Sequence, residues 1–277
     1  MKLRFIKANP SGNTTVFVLD PVERELYPAV GKAIMAYANV GAEQVGYMLR
    51  DESLPEGWKM SMAGGEFCGN ASRSFAAWLA LCPHGSTPHN FAQQEMDKVI
   101  TVSGAKEPLT AHITNEGKDN SCYVTVDMPL PERVLTGNDP WFGEYTLVIF
   151  EGITHLVLWN REPKDKDVEK MTELLTSMGP IPEAFGIMYY DGTRRFMHPL
   201  VNVVESKTLV WENSCGSGTS ALAAALAQRA DASLKDILIH QPGGDLHVDV
   251  TWDKGVRRLV LGGSIQFTAV GELFVDL

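Results

Sequence analysis

The sequence predicts an α+β fold built twice from one plan, and three observations carry that reading. First, two short stretches look like copies. Cys68-Gly69-Asn70-Ala71-Ser72 leads into an alanine-rich run through Ala80, and Cys215-Gly216-Ser217-Gly218-Thr219 into another through Ala227. Aligned on the cysteines they share Cys, Gly, Ala, Ala, Leu and Ala. Second, Gly152 lies 140 positions after Gly12 and Gly186 140 after Gly46, each beside an apolar, strand-like run. Third, the helical pattern of Asp165 to Met178 repeats that of Tyr27 to Ala38 near the same spacing, and the second cysteine follows the first by 147. Four elements recurring in one order mark a duplicated domain. The boundary falls near Met128-Pro129-Leu130-Pro131. Residues 1–128 with a C-terminal strand 268–277 make the first half, and 129–267 the second.

Each element has a local cause. Leu3 and Phe5 alternate with Arg4 and Lys7, as in a half-buried strand. Asn9-Pro10-Ser11-Gly12-Asn13 has turn chemistry. Thr14 to Leu19 is β-branched and aromatic, hence a strand. In the helix from Tyr27 to Ala38, Val30, Ala33, Ile34 and Tyr37 fall at helical spacing, Pro28 is tolerated in the first turn, and Gly41 closes it. Glu43 to Leu49 and Trp58 to Met62 read as strands. The helix after Cys68 stops near Cys82-Pro83-His84-Gly85. Strands follow at Lys98 to Val102 and Cys122 to Val126. In the second half, Val168, Met171, Leu174, Leu175 and Met178 line one helix face. Asp236 to His240 and Leu246 to Val250 flank the turn at Gln241-Pro242-Gly243-Gly244. Arg258 to Leu261, Ile265 to Val270 and a last strand, Leu273 to Leu277, complete the sheet, the last pairing back with the first half.

A chain of 277 residues, 44% hydrophobic, can bury a sizeable core. Its net charge of −10 argues against nucleic acid or an anionic membrane as partner. No run is apolar enough to span a bilayer, and Met1 to Lys7 interleaves charge with apolar residues, unlike a signal peptide. The expected compartment is the cytoplasm. Cys68, Cys82, Cys122 and Cys215 are widely spaced without a CxxC, against a disulfide scaffold or structural zinc. The seven histidines show no metal-ligand spacing, so no metal is expected.

The two cysteine turns carry the chemistry. A helix N-terminus leaves backbone N–H groups unpaired and carries partial positive charge, which favours an anion and lowers a nearby thiol's pKa. Two such units facing one cleft would hold a carboxylate between Gly69, Asn70, Gly216 and Ser217, with one sulfur on either side of the carbon bearing it. They would do so without a buried cationic side chain. One thiolate removes the α-proton and the other thiol returns one, so no cofactor is needed. Asn13 at the turn edge and Glu43 before its strand are candidate substrate contacts; the alternatives are a plain turn residue and a solvated charge. Cys82 and Cys122 follow no helix-opening turn and read as small buried hydrophobes. A regulatory disulfide between Cys68 and Cys215 is a further reading of two facing thiols.

These paired signatures resemble those of the diaminopimelate epimerase superfamily, over essentially the whole chain. The resemblance implies two pseudo-symmetric domains, each a β-barrel-like mixed sheet wrapped around a central helix, with two catalytic cysteines and no cofactor. Asn9 to Asn13, Glu43 to Gly46, Gly65 to Ala71, Trp211 to Thr219 and His240 to Gly244 are similar, more closely, to the histidine racemases of staphylopine-type metallophore biosynthesis. That resemblance implies Cys68 and Cys215 as the acid/base pair, Glu43 as the glutamate that recognises the substrate, and an amino acid as the small-molecule partner. Relatives are often homodimers. Diaminopimelate epimerases carry a Glu-Arg pair about nine residues before the second cysteine; here Ser206-Lys207 stands there, which argues against a substrate with a distal carboxylate. Phenazine-type isomerases lack the two-cysteine pair. The expected function is a cofactor-independent racemase of histidine. The rivals are an epimerase of diaminopimelate or hydroxyproline, and a non-catalytic amino-acid-binding or thiol-redox protein.

Overall fold

The computed structural model describes residues 1–82, 87–89, 94–204 and 208–277. The stop signal at Pro83-His84-Gly85 and the Ser206-Lys207 pair lie outside the described residues. Contacts divide the chain into two units, Met1–Asp127 with Gly262–Leu277, and Met128–Leu261.

The first unit holds β1 (Lys2–Pro10), β2 (Thr15–Val18), α1 (Tyr27–Met35), β3 (Gln44–Arg50), β4 (Trp58–Met62), α2 (Gly69–Leu81), β5 (Glu95–Ile100), β6 (Leu109–Lys118) and β7 (Ser121–Asp127). The second holds β8 (Arg133–Asp139), β9 (Gly143–Ile149), β10 (Ile153–Trp159), α3 (Asp167–Met178), β11 (Ala184–Asp191), β12 (Phe196–Val203), β13 (Thr208–Trp211), α4 (Gly216–Ala230), β14 (Leu234–Gln241) and β15 (Gly244–Trp252). A 19-residue strand, β16 (Val256–Phe274), begins in the second unit and ends in the first.

In the first unit the strands run β4-β3-β2-β1-β16-β7-β6-β5. Just past β5, Val102 bridges in parallel to Met60 of β4, which brings the two ends of the sheet together. The sheet wraps α2, which contacts β1, β5, β6 and β7. Every residue of α2 is buried, so its alanines are the side chains that fit inside a closed sheet. On the other face α1 places Tyr27, Val30 and Ile34 against Leu3, Phe5, Val16, Val18 and Val45. With a helix on each face, all four residues of β2 are buried. That explains its unbroken apolar run in place of alternation.

The second unit repeats these devices. Strands run β15-β14-β12-β11-β10-β9-β8, with β13 on the edge of β12. The sheet surrounds α4, which contacts β8, β9, β10, β11, β14 and β15. On the outer face Met171 and Leu175 of α3 pack on Leu156, Leu158, Phe185 and Ile187. The parallel pair β2–β3 of the first unit recurs as β10–β11. Phe17 lies opposite Gly46, and His155 opposite Gly186. A Cβ on Gly46 would stand 2.9 Å from the Phe17 ring, and one on Gly186 2.6 Å from His155 Nδ1. Both glycines therefore make room for a ring from the neighbouring strand.

Some sequence boundaries shift. The first helix ends at Met35, because Ala36 turns to extended angles; Gly41, at φ +62, then donates to the Ala36 carbonyl and closes the following turn. The two expected strands Arg258 to Leu261 and Ile265 to Val270 are one strand. The last strand pairs Lys2 with Phe274 and Leu3 with Leu273, and ends at Phe274.

Candidate active site

Cys68 and Cys215 are each the N-cap of a central helix, in nearly the same extended conformation (φ −134, ψ 113 and φ −120, ψ 109). Each sulfur accepts from the N–H three residues on: Ala71 N at 3.4 Å and Gly218 N at 3.3 Å. A thiol thus takes the capping role usually filled by Ser, Thr, Asp or Asn. Each cap carbonyl accepts from a hydroxyl in the first turn, Ser72 Oγ at 2.8 Å and Thr219 Oγ1 at 2.7 Å. The first intrahelical bonds are Ser72 N to Cys68 O and Thr219 N to Cys215 O. The N–H groups of Gly69 and Asn70, and of Gly216 and Ser217, therefore precede each helix's own ladder. Gly218 is a steric requirement: a Cβ there would lie 2.2 Å from Met188 Sδ and 3.2 Å from Cys215 Sγ.

Around Cys68 the first unit gathers the other predicted residues. The half-buried Cys68 thiol donates to Gln44 Oε1 at 3.0 Å. The preceding Glu43 accepts from Asn13 Nδ2 at 2.9 Å. Asn13 is buried, and its Oδ1 has no hydrogen-bond partner. Asn70 accepts from Arg73 Nη2 at 2.7 Å. Arg73 corrects the expectation of a site without a buried cation: it is fully buried, and burial lowers it to about 10 while the Tyr123 phenol and the Cys68 thiol act the other way.

Around Cys215 the partners differ. Its backbone N donates to Gln241 Oε1 at 2.8 Å, and Gln241 Nε2 donates to Thr219 Oγ1 at 3.0 Å. The thiol lies 3.5 Å from Ser217 Oγ, which in turn lies 3.0 Å from His155 Nε2. His155 is fully buried on the α4 side of β10; burial lowers it to about 3, and its Nδ1 has no hydrogen-bond partner among the described residues. The imidazole is therefore neutral. Burial also pushes the Cys215 thiol well above its ordinary value, and the Glu212 carboxylate adds to this; Ser217 and the Gly218 N–H pull the other way. For this thiol the helix end does not win, because Cys215 is only 5% exposed and desolvation is the larger effect. Cys82 and Cys122 are buried free thiols, each pushed up to about 12 by burial.

The sequence reading missed Gln44, Arg73, Glu212 and His155 as neighbours of the sulfurs. Gln44 and Glu212 stand inside the quoted motifs without a role, and Arg73 in the run after Cys68 drew no reading. Among the described residues no group of three His, Cys, Asp or Glu side chains is placed to hold a metal ion. No helix of the described residues is long and apolar enough to cross a membrane.

Residues 2–274 match the histidine racemase CntK N-terminal domain family. The histidine racemase of Fusobacterium nucleatum subsp. nucleatum is 33% identical over 99% of this chain and 97% of its own. That of Staphylococcus aureus is 29% identical over 99% and 98%. Among solved structures, a predicted epimerase from Pseudomonas aeruginosa superposes with a TM-score of 0.69 at 17% identity, covering 99% of this chain and 100% of the other, a likeness of fold. The protein therefore belongs to the histidine racemase family and is an isomerase of the amino-acid racemase class.

Proposed function

We propose that the protein interconverts L- and D-histidine without a cofactor, using Cys68 and Cys215 as an acid/base pair. The observation that supports this best is the matched pair of thiol caps. Each helix offers a sulfur together with N–H groups ahead of its ladder. The substrate carboxylate would take the N–H groups of Gly69 and Asn70 and of Gly216 and Ser217. As the Cα–H bond breaks, one thiolate gains the proton and becomes a thiol. The electron pair delocalises into the carboxylate, where preorganised donors hold the growing charge. The opposite thiol then gives its proton to the other face of the carbon and becomes the thiolate. The reverse reaction exchanges the roles.

Glu43 supports histidine as the substrate. Its carboxylate, oriented by Asn13 Nδ2, can accept from an imidazole N–H. A hydrogen bond to a charged acceptor contributes about 1.5–3 kcal/mol. The similar enzymes of Fusobacterium nucleatum and Staphylococcus aureus are histidine racemases, which supports the same amino acid here. On this reading D-histidine serves the biosynthesis of a metallophore. We also propose that the enzyme acts in the cytoplasm, where its four free thiols stay reduced, and as a homodimer, to be checked by sedimentation.

The test is incubation with L-histidine, D-histidine and diaminopimelate in deuterated water. Racemisation of histidine with α-deuteration, well above any change in diaminopimelate, is the expected result. Diaminopimelate epimerisation at the higher rate would overturn the substrate, and absence of α-exchange with every amino acid would overturn the chemistry.

A further inference from the structure

Arg73 stands one turn into α2 and is fully buried. Its Nη2 donates to Asn70 Oδ1 at 2.7 Å, while Nε and Nη1 are buried with no hydrogen-bond partner among the described residues. A buried guanidinium without a counter-charge is among the costlier arrangements a protein can hold. Even lowered to about 10 it remains a cation at neutral pH. The groups whose negative charge acts on it are the Tyr123 phenol and the Cys68 thiol. A phenol is neutral at pH 7, which leaves the sulfur. Five residues after Cys215, the place that Arg73 holds after Cys68, stands Ser220. The helix architecture thus does not need an arginine there.

We propose that Arg73 is a positioning residue of the racemase, with two tasks on the substrate side of α2. Its buried guanidinium opposes the negative charge of the Cys68 thiolate, and its Nη2 bond holds the Asn70 amide with the oxygen toward Arg73 and the NH2 away from it. The inference rests on the acid/base role of Cys68 proposed above. Arg73 keeps its protons throughout. When Cys68 takes the α-proton, negative charge leaves the sulfur for the substrate; when it returns the proton, that charge comes back beside Arg73.

Two variants and a control test this in the intact protein. The readouts are alkylation of Cys68 by iodoacetamide at pH 7, followed by peptide mass mapping, then kcat and KM for histidine, and Tm. Arg73→Met removes the charge and keeps an unbranched, flexible side chain that fits the apolar surroundings. It is expected to hold or raise Tm, since an apolar chain replaces a buried ion, to alkylate at Cys68 about tenfold more slowly or slower still, and to lose kcat. Arg73→Lys keeps a charge without the fork. It is expected to alkylate faster than Arg73→Met, with a raised KM from the released Asn70 amide. Wild-type alkylation and kcat in Arg73→Met would overturn the charge task. Should that variant not fold, an Arg73→Lys protein with wild-type KM and kcat would overturn the inference. Cys68→Ser separates the two levels. If it racemises at the wild-type rate, the acid/base reading itself falls; if it is inactive while the Arg73 variants behave as wild type, only the inference falls.

Discussion

The two thiol-capped helices share a backbone and differ in the side chains around the sulfur. The cap angles, the N–H to sulfur bonds and the hydroxyl on the cap carbonyl are nearly superimposable in kind. Around Cys68, however, stand an amide oxygen from Gln44 and a buried cation, Arg73. Around Cys215 stand the Glu212 carboxylate and a neutral hydroxyl–imidazole chain through Ser217 to His155. The same frame thus carries both thiols that we propose as the acid/base pair. Their charge environments then diverged in opposite senses, cationic beside one sulfur and anionic beside the other. A pair of identical thiols would have no preferred resting state; this pair is built unequal.

The comparison breaks most visibly at the sulfurs. Cys68→Ser and Cys215→Ser are each expected to lower racemisation about 10²–10⁴-fold in both directions, because each direction uses both groups. Each variant should keep deuterium exchange with one enantiomer only, and the two variants should choose opposite enantiomers. Full racemisation by either variant removes that cysteine from the mechanism.

A smaller effect separates Glu43 from its counterpart at the same 140-residue spacing, the exposed Glu183. Glu43→Gln is expected to lower kcat/KM for histidine about tenfold to a hundredfold with little change in Tm. Glu183→Gln should leave both unchanged. A Glu43→Gln protein that loses Tm and activity alike would make Glu43 a structural residue.

Next come the glycines that admit a ring. Gly186→Ala and Gly46→Ala should each cost about 1–3 kcal/mol of stability by overpacking, measured by urea unfolding. Only Gly186→Ala presses on the ring that holds Ser217, so it should lower kcat more. Equal kcat losses would uncouple His155 from the reaction.

The smallest difference lies in pH. His155 is held at about 3 in the folded protein against about 6.5 when unfolded. Between these values the unfolded chain binds the extra proton, so this contribution is full above pH 6.5 and is lost as pH falls toward 3, by at most about 1.4 kcal/mol per pH unit. His155→Phe, which copies Phe17 of the first unit, should flatten the fall in stability between pH 6.5 and 4.5. An unchanged slope would place that fall on other groups.

The sequence made the caps legible because capping is local. A cysteine, a glycine and an alanine-rich run announce where a helix begins without reference to the rest of the chain. The sulfurs' partners were hidden because they arrive from far away: Gln44 is 24 residues from Cys68 and Gln241 is 26 from Cys215. His155 reaches Ser217 across 62. Arg73 drew no notice because an arginine in a helix normally faces water, and only the closed sheet around α2 shows it buried. The strands β6, β8, β9, β12 and β13 went unread. In β6 the buried Ala111 and Ile113 give way to Asn115, Glu116, Gly117 and Lys118, and β8 alternates only weakly. The long β16 was read as three strands, Arg258 to Leu261, Ile265 to Val270 and Leu273 to Leu277, and Gly262-Gly263 falls in the first gap. Gly262 is instead a close approach, where a Cβ would meet Tyr123 Oη at 2.5 Å.

The pairing of β1 with β16 sets an order of assembly on the ribosome. Lys2 finds its partner only when Phe274 has been made, and the Met1 amino group donates to the Val275 carbonyl. The unit of residues 128–261 is continuous in sequence, so its contacts can all form before residues 262–277 emerge. The unit that begins the chain must wait, with the flank of β1 uncovered. During that wait β1 is an unpaired strand edge, open to mispairing. Lys2, Arg4 and Lys7 place positive charge along it, the kind of residue that keeps a waiting edge from joining another chain.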